Sequence, residues 1–394
     1  MRIRGPYLFL LIALCLGSIG IWKAIDARRA SAADIPNYPK RWNPAAAATY
    51  LDKREIWWQN WPSAQMDHGT VCISCHTVVP YALVRPALRR QLNEKEISAP
   101  EAAMLTSIEK RVNDWPEMTP FYTDAANGPG KTTQSHATEA VLNAVILSAY
   151  DAADGHLSSA TQTAFNEAWA LQEETGVNAG GWNWQDFHLA PWESPEAGYQ
   201  GAALIAIALG DTPDRYASEP EVREHVKQLQ GYLRRHYAAQ PLMGQLYALW
   251  ASARLPGLLT GADRTELVEK ISDLQLHDGG WALPSLDQQP GLRHYLVDHW
   301  KQVSNTAESD GCATGLVVLA LEEGSVKPQD PTLNRGLQWL QRHQQKDGSW
   351  HASSLNGPRD PYSDMGQFMS DAATGYAALA LEKARREAMN SVPR

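Results

Sequence analysis

The chain has 394 residues, 44% hydrophobic and 20% charged, with a formal net charge of −9. That balance is globular and excludes a disordered chain; the length suits one large domain with an appendage, or two domains. The acidic total, with no basic run beyond residue 90, sets aside nucleic acid as a partner, and four cysteines (Cys15, Cys72, Cys75, Cys312) are too few for a disulfide framework. Trp, at 15 residues, is about three times its ordinary usage, which points to a repeated structural job.

Arg2 and Arg4 precede an uncharged, mostly apolar stretch from Gly5 to Trp22. A positive start followed by an apolar run reads as an export signal or as an uncleaved membrane anchor within residues 1–32. The small residues Ala30, Ser31 and Ala32 lie beyond Lys23, Asp26, Arg28 and Arg29, far from the apolar run for cleavage. Cys15 follows Leu14, where a lipidation site would need a small residue. The body is therefore expected on the periplasmic side of the cytoplasmic membrane, anchored there, or free in the periplasm if the segment is removed.

Residues 33–65 are rich in Pro, Trp and Asn and are expected to form an extended lead-in packed by aromatics. Within 66–130 one helix is clear: Met104, Leu105, Ile108 and Val112 follow helical spacing after Pro100 and Glu101.

From about residue 136 the chain repeats itself. Ser309 to Glu322 and Ser370 to Glu382 share Ser-Asp, Ala-Thr-Gly and Leu-Ala-Leu-Glu. Weaker copies begin at Thr138, Tyr199 and Leu246. These segments are Ala-rich and apolar nearly all round, the pattern of buried helices. Between them lie amphipathic helices with stripes at Val222, Val226, Leu229 and Leu233; at Leu267, Ile271 and Leu274; and at Leu333, Gly336, Leu337 and Leu340. Alternation at a period of roughly 50–60 residues describes an inner ring of helices inside an outer ring.

Three amphipathic helices run into a common ending, Gln-x3-Gly-x-Trp: Gln344, Gly348 and Trp350; Gln275, Gly279 and Trp281; and, with four extra residues, Gln172, Gly180 and Trp182. Gly supplies a left-handed turn, Gln can donate to the exposed carbonyls, and Trp covers apolar surface. This ending resembles the QW motif of the squalene–hopene cyclase and protein prenyltransferase superfamily, over about residues 136–385. The resemblance implies an all-α (α/α) toroid of five to six helical hairpins around a central apolar cavity, with the QW residues as structural ties. The DxDD acid motif of the alkene-protonating cyclases is absent, as is the zinc set of the prenyltransferases, so cyclase chemistry does not follow.

Cys72, Cys75 and His76 form a C-x-x-C-H motif. It is the attachment pattern of c-type haem, in which two thiols bond the porphyrin and the His ligates iron. Random placement of these residues would give about 0.001 such matches in the chain. One covalent haem c is therefore expected, with a redox dithiol or half of a zinc site as alternatives. Met118, in a Pro-flanked loop after the 100–113 helix, is the candidate sixth ligand, with Met66, His68 and Met104 as rivals; Tyr81 and Arg85 are candidate propionate contacts. The organisation read from these features is a signal or anchor over 1–32, a haem-binding segment over 33–130 and a toroid over 131–388.

Asp310 and Asp371 open two inner helices at equivalent positions. They are candidate catalytic acids, or helix caps; Glu139 and Glu196 carry the same ambiguity. Long loops at 183–198, 282–308 and 351–369 should cluster on one rim and form a binding face. They hold Trp184, His188, Trp192, Glu193, His294, Asp298, His299, Tyr362 and Phe368. Cys312 is expected to be a buried core thiol. Together these readings set up an expectation: an exported haem protein transferring electrons to a redox partner protein, coupled to oxidation or reduction of an apolar or isoprenoid ligand. The alternatives are an isoprenoid cyclase or isomerase, and a non-enzymatic scaffold for a redox partner.

Overall fold

Strong helix-start signals recur along the chain, and nearly all the regular structure is helical. The computed structural model describes residues 42–152, 155–213, 215–287, 308–357 and 359–390. The N-terminal anchor or signal, with Cys15, and the rim residues His294, Asp298 and His299 lie outside those residues. Among the described residues no helix is long and apolar enough to cross a membrane.

Twelve long helices are described: α1 Pro44–Asn60, α2 Val78–Leu92, α3 Ala99–Asn113, α4 Lys131–Asp151, α5 Ser159–Ala170, α6 Ala197–Leu209, α7 Pro220–His236, α8 Leu242–Ala251, α9 Gly261–Asp273, α10 Gly311–Glu323, α11 Pro331–His343 and α12 Phe368–Asn390. Side-chain caps hold many of the starts. Ser98 and Thr260 form capping boxes with Glu101 and Asp263, while Asn43, Ser158, Asp310 and Asp330 accept from first-turn amides.

The even-numbered helices form the inner ring. α6 and α10 are buried at every position, as their Ala-rich, all-apolar sequences require. Each inner helix packs on the next, α2 to α4, α6, α8, α10 and α12, and α12 packs back on α2. The odd-numbered helices lie outside and bury one stripe; α7 hides Val222, Leu229, Tyr232 and Leu233 and exposes its charges. The result is the expected all-α toroid, closed by six helical hairpins.

Three of the twelve helices, α1, α2 and α3, come from the first third of the chain. Residues 44–60, expected as an extended lead-in, are helical instead. Asn43 caps the helix and Pro44 occupies its first turn, where a missing N–H is harmless, and four alanines follow. α2 keeps its helix despite Pro86 in its interior. The boundary expected at 130 falls inside one compact unit that runs from Trp42 onward, because α1, α2 and α3 complete both rings.

The three Gln-Gly-Trp endings have one geometry. Gly180, Gly279 and Gly348 adopt φ of 92°, 99° and 96°. Gln172, Gln275 and Gln344 donate to the carbonyl of that glycine at 3.0, 2.8 and 3.0 Å. Each amide nitrogen also donates across to the next outer unit, at the carbonyls of His225, Thr332 and Asn43. Trp182, Trp281 and Trp350 donate from Nε1 to Ala168, Ile271 and Leu340 of the preceding helix at 2.7–2.9 Å. The last joint ends on Asn43 and so ties the C-terminal half to α1.

The toroid's axis is not an open apolar well. Tyr247 of α8 and Tyr376 of α12, which are not ring neighbours, meet through their hydroxyls at 2.5 Å. They narrow the middle, and a cavity lies toward one end.

Candidate functional site

Connections from inner to outer helices are short, whereas most of those from outer to inner helices are long, and the cavity is built at that long-loop end. It holds about 160 Å³. Its walls come from four connections (61–77, 114–130, 171–196 and 344–367), from the end of α1 and from the starts of α4 and α12. Of the rim residues expected from sequence, Trp192, Glu193 and Phe368 line it. Trp184 packs beneath with Trp192 and Cys75, whereas His188 and Tyr362 point to solvent.

Cys72, Cys75 and His76 all reach this wall. Ser74 shapes their loop, its hydroxyl accepting the amides of Thr77 and Val78 at 3.2 and 3.1 Å at the start of α2. Trp58 donates from Nε1 to the Cys72 carbonyl at 2.7 Å. The His76 ring stacks on Phe368 at 3.8 Å and meets the edge of Trp58 at 5.2 Å. Burial, with the cations Arg54 and Arg359 adding to it, pushes the His76 imidazole down to about 3, so it is neutral at physiological pH. Burial pushes both thiols up, away from the thiolate that a reactive dithiol needs. Among the described residues no three His, Cys, Asp or Glu side chains converge as a metal site.

The polar groups of the wall were less visible in sequence. Glu193 sits in a tight antiparallel bridge with Leu189, exchanging backbone hydrogen bonds of 2.8 and 2.9 Å. Burial raises its carboxyl above the usual range, and Lys131 pulls it partly back. Gln185 is 4% exposed, and neither its Oε1 nor its Nε2 has a partner. Its backbone is held by Thr138 of α4, whose Oγ1 accepts at 2.9 Å. An unpaired buried amide is costly, and here it faces the cavity, where an occupant can satisfy it. Arg359 stands exposed at the mouth, and Phe121, Tyr122 and Trp192 add aromatic surface.

The remaining candidates lie elsewhere. Met118 is buried away from the cavity wall, its sulfur 4.0 Å from Nη1 of Arg111. The methionines that do line the cavity are Met365 and Met369, brought from the far end of the chain by ring closure. Tyr81 and Arg85 both engage Asp52, and Arg85 also pairs with Glu94. Glu139 forms a bidentate pair with Arg111. Asp310 is a cap: Oδ1 accepts from Cys312 and Ala313 at 2.9 Å, Oδ2 from Leu283 at 2.5 Å. Burial raises its carboxyl to about 7. Asp371, wholly buried, accepts from Tyr50, Arg54 and Thr77 and does not reach the cavity. Cys312 is a buried core thiol.

The fold recurs in solved structures of sugar hydrolases. One is a glucuronyl hydrolase variant with the oligosaccharide dGlcA-Glc-Rha-Glc, with a TM-score of 0.52 and 9% identity, covering 87% of this chain and 96% of that one. Another is the unsaturated glucuronyl hydrolase of Bacillus sp. GL1, described as responsible for glycosaminoglycan degradation, with a TM-score of 0.51 and 9% identity, covering 87% and 95%. No family model matches the chain, and no curated protein does. At this identity the likeness defines an α/α toroid and nothing finer.

These findings correct the expected function. The described neighbours are hydrolases, not electron carriers, so the reading as a cytochrome that transfers electrons and couples them to an apolar ligand is withdrawn. Glu193, Gln185 and Arg359 put acid, amide and cation on a wall that is otherwise largely apolar and aromatic.

Proposed function

We propose that the chain is a hydrolase that takes a carbohydrate-like, anionic substrate into the cavity at the long-loop end of the toroid. The observation that carries this reading is one wall holding a half-buried carboxyl of raised proton affinity, Glu193, beside the unpaired amide of Gln185. The solved hydrolases of the same fold support it by analogy.

Each group has a chemical task. Trp192, Phe121 and Tyr122 offer flat apolar faces to the C–H side of a sugar ring. Gln185 gives one donor and one acceptor to adjacent hydroxyls, and Arg359 pairs with a substrate carboxylate. Glu193, protonated, gives its proton to the glycosidic oxygen as the bond to the anomeric carbon breaks. Water entering from the mouth adds to that carbon, and its proton returns to the Glu193 carboxylate. Among the described residues the wall carries this single carboxyl, so the same group gives and recovers the proton. Incubation with an unsaturated glucuronyl disaccharide should consume its ultraviolet absorbance, and Glu193→Gln should lower the rate by about 10²–10⁴. No turnover of any uronyl oligosaccharide would defeat the reading.

A second reading concerns a cofactor and rests on Cys72, Cys75 and His76 facing one aromatic-lined space. We propose covalent haem c as the alternative occupant, with Cys72 and Cys75 holding the porphyrin, His76 ligating iron, and Met365 or Met369 replacing Met118 as the sulfur candidate. Haem bound there would supply a redox-active, Lewis-acidic iron. Both occupants would use the same wall, so each excludes the other. A pyridine haemochrome spectrum of protein made with c-type maturation machinery decides between them: covalent haem displaces the hydrolase, and its absence removes the cofactor.

A further inference from the structure

The C-x-x-C-H loop is joined to the far end of the chain by a chain of hydrogen bonds that neither occupant of the cavity explains. His76 Nδ1 lies 2.9 Å from Thr77 Oγ1. The Thr77 hydroxyl donates to Asp371 Oδ2 at 2.7 Å. The other oxygen of Asp371 accepts from Tyr50 Oη and from Arg54 Nε, each at 2.8 Å. Arg54 also donates to the carbonyl and to the side chain of Asp364. Thr77 and Asp371 have no exposed surface to speak of, at 2% and 0%.

The direction of each bond is fixed from the far end. Burial raises the Asp371 carboxyl and Arg54, Thr77 and Tyr50 pull it back; with these three donors aimed at its two oxygens and Arg54 permanently charged, the group acts as the acceptor of every bond. The Thr77 proton is therefore spent on Asp371, and the Thr77 oxygen can only accept from the ring. We infer that Asp371, acting through Thr77, holds His76 as the Nδ1–H tautomer and turns the Nε2 lone pair toward the cavity. Among the described residues no side chain engages Nε2, and the ring forms part of the cavity wall. The cavity thereby presents a neutral Lewis base of fixed orientation to whatever fills it: a hydroxyl or water proton, or a Lewis-acidic metal centre. Asp371, which looked like a candidate acid in sequence, is a positioning residue for His76.

This inference is independent of the two occupants proposed above, and its test needs neither. The full chain labelled with ¹⁵N-histidine is examined at neutral pH by two-bond ¹H–¹⁵N correlation, with His76 assigned by comparison with His76→Phe. The expected pattern is a protonated Nδ1 and an unprotonated Nε2. Thr77→Val should remove that preference and return the ring toward Nε2–H, while Thr77→Ser, which keeps the hydroxyl, should retain it. A merely structural Thr77 would leave the tautomer pattern of His76 unmoved in the Val variant. Nε2–H in the unmodified protein, or an unchanged Nδ1–H pattern in Thr77→Val, would overturn the relay. If the Val variant does not fold, the unmodified and Ser proteins still decide it.

Discussion

The same side chain does opposite work at the joints and at the cavity. Gln172, Gln275 and Gln344 each bridge two carbonyls and leave no amide proton idle that the fold could use. The side chain of Gln185, more enclosed than those of Gln275 and Gln344, bonds to nothing. Buried groups without a partner occur in the frame too, at Asn143 and Glu55, but among the described residues Gln185 is the one that lines the cavity, where an occupant can reach it. The joint glutamines close hinges between outer helices, and Gln185 is left for an occupant.

The comparison is broken most forcefully at the tryptophans. Trp350 is fully buried and anchors its joint through Nε1, so Trp350→Ala should destabilise the protein by about 3–5 kcal/mol in urea unfolding. Trp192→Ala, which removes a ring from the cavity wall, should lower stability by about 1–2 kcal/mol and impair ligand binding instead. Equal losses from the two would erase the distinction between frame and site.

The second test sets one buried carboxyl against another. Glu55 on α1 belongs to the frame: one oxygen accepts from Gln59, the other has no partner, and burial raises the group to about 8. A folded value above the unfolded one means that the folded state holds the proton more tightly. Its stabilising contribution is full below about pH 4 and disappears as the pH climbs through about 8. Glu55→Gln, unable to ionise, should gain stability over the parent at pH 8–9 by roughly 2–5 kcal/mol. The gap should close at pH 4. Glu193, raised by burial as well, is subject to the same linkage in unfolding and should in addition show its titration in activity.

The glycines sharpen the same point at a smaller scale. Gly348 and Gly176 both have positive φ, so alanine is strained at either. At Gly348 a Cβ would also collide with the Ala46 carbonyl of α1, whereas at Gly176 it meets open space. Gly176→Ala should lower stability by about 1 kcal/mol and Gly348→Ala by about 2–3 kcal/mol, measured by thermal unfolding.

How much of this was legible in sequence follows from distance along the chain. The inner helices announce themselves because an all-round Ala-rich surface has no other home, and the Gln-Gly-Trp endings because each is local. α1 was hidden by its Pro, Trp and Asn content, although Asn43 before Pro44 is a helix start in its own right. The cavity's Cys72, Cys75 and His76 were legible as a contiguous motif. Asp371 as a partner of Thr77 was not, since 294 residues separate them and only closure of the ring between α12 and α2 makes them neighbours. A Pro-flanked loop after a helix singles out Met118 in sequence, but Met365 and Met369 are the methionines the closed ring delivers to the cavity. Gln185 carries no sequence signal beyond its place in a long loop, because an unpaired amide is a property of packing and not of pattern.

The smallest effect asked of any variant comes from Gln185 itself, and its sign matters more than its size. Leu has nearly the volume of Gln and no polar atoms, so Gln185→Leu removes two unsatisfied groups from the ligand-free protein without opening a cavity. Stability should therefore hold or rise by about 1 kcal/mol, whereas replacing Gln275 of the joint in the same way should lower it, because two carbonyls lose their donor. Affinity for the cavity's ligand should move in the opposite direction, by about tenfold or more for one lost buried hydrogen bond. A Leu variant that unfolds more easily than the parent would mean that Gln185 belongs to the frame after all, bonded to ordered water that serves the fold and not to a substrate.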